Sequence, residues 1–160
     1  MLISTSRKPS QKTRKFCKNF AILTDSTSVN RGKMNQRELL LKALSEEEKN
    51  VAVVNEIKGN PSRITFFSNK GDELLGILIS VNISGEKLNI QPSQLKIVSQ
   101  VEELNCLAEI MNLELVEKAE SNYIHISNDD NDLVAKINFI NKFGDKLDFH
   151  INVKKILDEA

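Results

Sequence analysis

Aromatic side chains are scarce in this chain of 160 residues: no tryptophan, one tyrosine and seven phenylalanines. A platform of exposed rings for stacking unpaired bases is therefore poorly supplied. Cysteine is scarcer still. Cys17 and Cys106 stand alone, with no CxxC spacing, which excludes a disulfide framework and a zinc ribbon and fits a reduced, cytoplasmic setting. No window approaches the ~18 apolar residues of a transmembrane helix, and no secretory h-region is present, so a membrane role is not expected. Net charge is missing as well, at zero. With 40% apolar and 28% charged residues, the chain has the composition of a globular domain. Its length suffices to bury roughly 70% of the unfolded surface.

The zero net charge hides a segregation. Residues 1–37 hold nine of the 22 Lys/Arg and one acid, Asp25, which leaves 13 basic and 21 acidic residues in 38–160. One end is about +8 and the other about −8. Polyanions are drawn to the first and repelled by the second. Residues 1–24, basic and free of acids, also have the composition of a transit peptide. No cleavage signal follows, however, and the segment opens like a strand.

Read for elements, Met1–Ser4 is a short inner strand. Pro9 precedes a helix over about Ser10–Leu23, where Phe16, Phe20 and Leu23 recur on one face and Arg14, Lys15 and Lys18 point away. Thr24–Val29 reads as a polar linker. Asn35 with Glu38 forms a capping box for a second helix. Val51–Val54 is apolar throughout, as in a strand covered on both faces. Lys58-Gly59-Asn60-Pro61 is a turn, and Ile64–Phe67 and Leu74–Val81 form a hairpin across Asn69–Asp72. The second half echoes this order: a strand at Leu95–Val98, a helix from Glu102 to about Lys118, a strand at Tyr123–Ile126, and a hairpin of Leu133–Ile140 with Leu147–Val153. Asn50–Val53 aligns with Asn122–His125, and the N-K-G-D turn with N-K-F-G-D. The second helix of the first half aligns with the helix of the second. These matches predict a duplicated unit.

Several groups of residues could carry chemistry. Arg7, Lys8, Lys12, Arg14, Lys15 and Lys18 lie within twelve residues without an acid to pair at i, i+4. Such a ridge suits phosphate contacts better than a merely solvated face. Asn30-Arg31-Gly32-Lys33 precedes the second helix, where Arg31 and Lys33 form a separate candidate phosphate group. It is not a Walker A loop, because Thr27 stands five before Gly32 and Met34 follows Lys33. Lys58 and Arg63 flank the turn after the buried strand and could extend the basic surface. His125 and His150 sit in strand-like alternation with no nucleophile nearby, so both read as half-buried sheet residues. Asp129-Asp130-Asn131-Asp132 lacks the later Gly and Glu of an EF-hand and reads as a solvated turn. Cys17 lies beside Phe16 and Phe20 as an inert packing residue. No catalytic set, metal spacing or cofactor motif emerges, and neither an enzyme nor a small-molecule substrate is expected.

Together, Leu2-Ile3-Ser4-Thr5-Ser6-Arg7-Lys8-Pro9-Ser10, Thr13-Arg14, Phe16 and Val29-Asn30-Arg31-Gly32-Lys33-Met34 resemble the opening of the short archaeal Brix-domain proteins. Val51-Ala52-Val53-Val54 and Lys58-Gly59-Asn60-Pro61-Ser62 match that family's next signature. The resemblance spans essentially the whole chain and is densest in its first 65 residues. It implies an α/β Brix fold over residues 1–160, with halves of about 1–83 and 84–160. It also implies a shape related to the anticodon-binding domain of class IIa aminoacyl-tRNA synthetases. The larger eukaryotic relatives assist ribosome biogenesis by binding pre-ribosomal RNA and assembly partners. This chain departs from them near its C-terminus: Lys154–Ala160 is a short mixed-charge segment without a Gly-Pro-Arg-type motif or basic extension. The expected function is thus a ribosome biogenesis factor that binds structured ribosomal RNA during processing and assembly. Basic ribosomal proteins are candidate partners for the acidic half. The alternatives are a protein-interaction adaptor without RNA contact and a tRNA-binding accessory module.

Overall fold

The computed structural model describes residues 1–83, 85 and 87–157. The elements in order are β1 (Leu2–Thr5), α1 (Gln11–Leu23), β2 (Thr27–Ser28), α2 (Gln36–Ser45), β3 (Asn50–Ile57), β4 (Asn60–Ser68) and β5 (Glu73–Asn82). They continue with β6 (Lys96–Ser99), α3 (Cys106–Met111), β7 (Glu114–Leu115), β8 (Tyr123–Ser127), β9 (Ala135–Ile140) and β10 (Lys146–Leu157). All the strands join one ten-stranded sheet in the order β2-β1-β3-β4-β5-β10-β9-β8-β6-β7. Counted from either edge inward, the order of each half is the same. β1 runs parallel to β2 and β3, and β6 parallel to β7 and β8. The antiparallel pair β5–β10 closes the sheet across its middle.

Each helix begins where its local chemistry dictates. Ser10 caps α1 by accepting the Thr13 N–H at 3.2 Å, and the apolar residues Phe16, Cys17, Phe20, Ala21 and Leu23 all fall on the buried face. Asn35 and Glu38 form the reciprocal capping box of α2. α1 packs on the sheet face that carries Ile3, Ala52, Val54, Ile64 and Phe66. α2 packs on the opposite face, burying Leu39 and Ala43 against Leu2, Val51 and Val53. This explains why Val51–Val54 is apolar at every position: the strand is covered on both sides. The main core is continuous across the halves. Phe16 of α1 stacks on Phe149 of β10 at 5.5 Å between ring centroids, and Phe149 meets Phe139 edge-on at 5.4 Å.

Three expectations are corrected. The helix expected to reach Lys118 stops at Met111, because Asn112 adopts the left-handed region (φ 57°, ψ 46°) and its N–H closes the last turn on the Ala108 and Glu109 carbonyls. Asparagine tolerates that conformation and ends helices there. A single turn of 3-10 helix, Glu102–Leu104, supplies the first part of the expected segment. The linker Thr24–Val29 contains β2, a two-residue edge strand whose Thr27 and Ser28 carry no apolar signature. Finally, the helix matching α3 is α1, since both connect the first two strands of their halves; α2 has no helical counterpart between β7 and β8. The half boundary at 83/84 and the last three residues of the C-terminal segment fall at or outside the edge of the described residues.

Candidate nucleic-acid interface

Two connections leave the sheet at neighbouring points and in opposite directions. From the end of β1 the chain turns to α1 on one face; from the end of adjacent β2 it turns to α2 on the other. In open α/β sheets such a switch point leaves a crevice at the carboxyl ends of the strands, where ligands commonly bind. Here the crevice is a cavity of about 220 Å³ lined by Thr5, Pro9, Arg14, Cys17, Lys18 and residues 28–32. Arg14 and Lys18 stand one helical turn apart on α1. Arg31 faces them from the loop after β2.

Arg31 is anchored. Its Nε donates to the Met34 carbonyl and its Nη1 to the Thr5 carbonyl, both at 2.8 Å. Burial, aided by repulsion from Arg7, presses its pKa below the ordinary arginine value. Part of the guanidinium is therefore structural, pinning the loop to the end of β1. On the other side of Arg31 lies a second, more open cavity of about 440 Å³, lined by Ser6, Arg7, Asn35, Asn55 and Thr65 among others. Arg7 reaches the Lys33 carbonyl at the long distance of 3.5 Å. Arg31 and Lys33, separate from the ridge in sequence, are thus joined to it in space. Gly32 allows the loop its shape, with φ +54°.

The N-terminal end of α1 is tied to the hairpin of β3 and β4. Glu56 accepts from the Ser10 N–H at 3.0 Å, from the Ser10 hydroxyl and, at short range, from the Thr13 hydroxyl. The Thr13 hydroxyl, followed by the Ser10 N–H, holds the carboxyl below its usual range. Glu56 escaped the sequence reading, and no local signal could reveal it, because its partner lies 46 residues away. Lys12 Nζ donates to Asn60 Oδ1 at 2.8 Å, which brings Lys58 to the same end of the ridge. Lys58 and Gly59 form the two-residue turn with positive φ at both positions (52° and 78°), the hairpin geometry that suits the twist of the flanking strands. Arg63 lies elsewhere. As the cross-strand partner of Asn55, it shares the α2 side of the sheet, opposite α1.

Lys8, Lys12, Arg14, Lys15, Lys18 and Lys33 are exposed. Among the described residues, the ion pairs are Met1–Glu48, Lys42–Glu46 and Lys96–Glu114, so none of the ten cations singled out from the sequence is neutralised by one. The position of α1 is mirrored in the second half by the Glu102–Leu104 turn and α3, whose exposed charges are Glu102, Glu103 and Glu109. Equivalent positions in the two halves carry opposite charge.

The remaining candidates are placed as follows. Burial pushes the Cys17 thiol up to about 12, consistent with an inert packing residue. His125 sits half-buried on the sheet, edge-on to Tyr123. His150 Nδ1 lies 2.9 Å from the Asp148 carbonyl, and burial lowers its pKa. Asp130 accepts from the Asp132 N–H in an exposed turn. Among the described residues there is no group of three or more His, Cys, Asp or Glu able to hold a metal. No helix among them is long and apolar enough to cross a membrane.

Comparison with known proteins gives a consistent picture. The chain is 35% identical over 130 residues, covering 81% of both chains, to a probable Brix domain-containing ribosomal biogenesis protein of Methanothermobacter thermautotrophicus. It is 42% identical over 86 residues to one of Methanosarcina mazei, covering 54% of this chain and 53% of that one. The crystal structure of Mil, an archaeal Imp4-like protein, superposes with a TM-score of 0.87 at 29% identity and 99% coverage of both chains. A probable ribosomal biogenesis protein of Aeropyrum pernix shares the fold, with a TM-score of 0.71 at 20% identity, covering 96% of this chain and 94% of that one. No family model matches the sequence.

Proposed function

From the premise that the chain belongs to the archaeal Brix domain-containing ribosomal biogenesis proteins, we propose that it acts by binding structured ribosomal RNA through α1 and the loops at its two ends. One observation carries this reading: the cations of α1, the β1–α1 loop and the 30–33 loop converge on one side without ion pairing among the described residues. Clustered like charges are destabilising, and a phosphate backbone offsets them. Arg14, Lys15 and Lys18 are the central contacts, Arg7, Lys8 and Lys33 flank them, and Lys12 and Lys58 extend the surface to the hairpin. Arg31 contributes charge from an anchored position. Arg63, on the α2 side, is a weaker candidate.

Five of the seven phenylalanines are buried, which favours recognition of phosphates and shape over base stacking. The acidic counterpart of α1 would orient the protein by turning α3 away from RNA and towards a basic ribosomal protein. A shape like that of the synthetase anticodon-binding domain would extend the same surface to tRNA, and competition between tRNA and ribosomal RNA fragments checks that extension.

The test is a gel-shift series over a range of salt. Wild-type affinity should fall with salt by about 0.7–0.9 log units per log unit for each phosphate contact. Reversing Arg14 and Lys15 together to Glu should weaken binding at least ~tenfold on every RNA sequence and flatten the slope by about two contacts. Equal affinity of the double variant would place the RNA elsewhere. Absence of salt-dependent binding by the wild type would favour a protein adaptor.

A further inference from the structure

Resting on the reading of α1 as an RNA-facing helix, we propose that the cavity between α1, the end of β1 and the loop after β2 is a built site for one phosphoryl group. Thr5 supplies a hydroxyl donor there, and Arg14, Lys18 and Arg31 supply the counter-charges.

The first observation is an orphan. Thr5 is only 4% exposed, lines the cavity, and its Oγ1 has no hydrogen-bond partner. Among the described residues only Asn105 Oδ1 shares that condition. A buried hydroxyl without a partner is costly, and each such group in a folded protein calls for an account. Here Thr5 shares the wall of the cavity with Arg14, Lys18 and Arg31, so an anionic oxygen drawn to those cations would satisfy its hydroxyl.

The molecule contains its own control. The registers Thr5 to Val54 and Ser99 to Ile126 place Ser99 at the position in β6 that Thr5 holds in β1. Ser99 is satisfied locally: its Oγ donates to the Val101 carbonyl at 3.0 Å and accepts from the Val101 N–H at 3.2 Å. Two hydroxyls thus stand at matching strand ends. The one in the acidic half closes on its own backbone, and the one in the basic half is left open.

Two further features aim the site. The anion position at the N-terminus of α1 is already filled by Glu56, so an incoming phosphate is directed to the crevice and not to the helix end. Arg31 is held by its bonds to the Met34 and Thr5 carbonyls, which presets its guanidinium against the cavity before a ligand arrives and reduces the ordering lost on binding. The phosphoryl group would come from RNA, either as an internal diester or as a terminal monoester.

Inorganic phosphate is the direct probe. Titrated at constant ionic strength and followed by amide NMR, it should shift the Thr5 and Gly32 signals saturably, whereas chloride should not. Thr5→Val keeps the shape of the strand residue and removes only the hydroxyl; phosphate affinity should fall about tenfold, with Thr5→Ser close to wild type. The valine variant should melt no lower than wild type, which separates lost binding from lost fold. Oligoribonucleotides with and without a 5′-phosphate distinguish the source: preference for the phosphorylated form assigns a terminal monoester, and equal binding an internal diester. Unsaturable shifts in the wild type, or unchanged affinity in Thr5→Val, overturn the site. Salt-dependent RNA binding in that circumstance leaves the reading of the helix intact. Saturable phosphate binding without RNA binding overturns the helix reading and leaves the site.

Discussion

Glu56 shows how much one side chain decides here. A β3 carboxylate stands in for the acidic residue that the first turn of α1 lacks, so it complements the helix dipole and joins the sheet to the basic helix in one contact. Replacing it with Gln keeps the shape and removes the charge. Stability should drop by about 1–2 kcal/mol at neutral pH, from weakened charge-assisted hydrogen bonds and lost dipole complementarity. The pH dependence has a definite sign. The folded-state pKa is depressed, so the advantage is fully present above the unfolded carboxyl value of about 4.3 and is lost as pH falls through the lower folded value. Denaturant melts of both proteins at pH 7 and in acid check this; a gap that persists in acid would contradict it. The contrast with Asn35 and Glu38 shows what was legible at this scale. That capping box spans three residues and could be read directly. The anchor at Glu56 spans 46, and Thr5 looks like any strand threonine until the fold shows that its hydroxyl has no partner.

Among the elements, those with an apolar period were legible and those set by a single backbone angle were not. α1 was readable from Phe16, Phe20 and Leu23, and β3 from its unbroken valines. The polar edge strand β2 offers no such pattern, and the separation of the ridge from the 30–33 loop vanished only once β2 placed that loop beside Arg14 and Lys18. The helix misjudged by seven residues is the sharpest case. Leu113 and Leu115 continue a plausible apolar spacing, yet Asn112 turns the chain at φ 57°, and Glu114 pairs its strand with β6. A β-branched residue at that angle is strained. Asn112→Val should therefore lose about 1–2 kcal/mol of stability while Asn112→Gly stays near wild type or above it, as thermal melts would show. Equal loss in both variants would mean that the asparagine side chain, and not the backbone angle, holds the turn.

At the scale of the molecule, the two halves share a sheet order but differ in the sign of their charge, and their cores are continuous. That continuity bears on whether the chain is one domain, and the sequence supplies a convenient probe. With no tryptophan and one tyrosine, fluorescence reports on Tyr123 alone, in β8 of the second half. Phe16 belongs to the first half but stacks on Phe149 of the second. Phe16→Ala should cost about 3–5 kcal/mol, the usual range for emptying a buried ring position. With a urea dependence of roughly 2 kcal/mol per molar for a chain of this size, the midpoint should fall by about 2 M. If the halves form a single cooperative unit, fluorescence and far-UV circular dichroism will move together in the variant. If each half folds alone, dichroism will show an early transition while Tyr123 keeps close to its wild-type midpoint. The ring stack and the antiparallel β5–β10 pairing argue for joint movement: losing the first half would expose Phe149 and leave β10 an unpaired edge along its whole contact with β5.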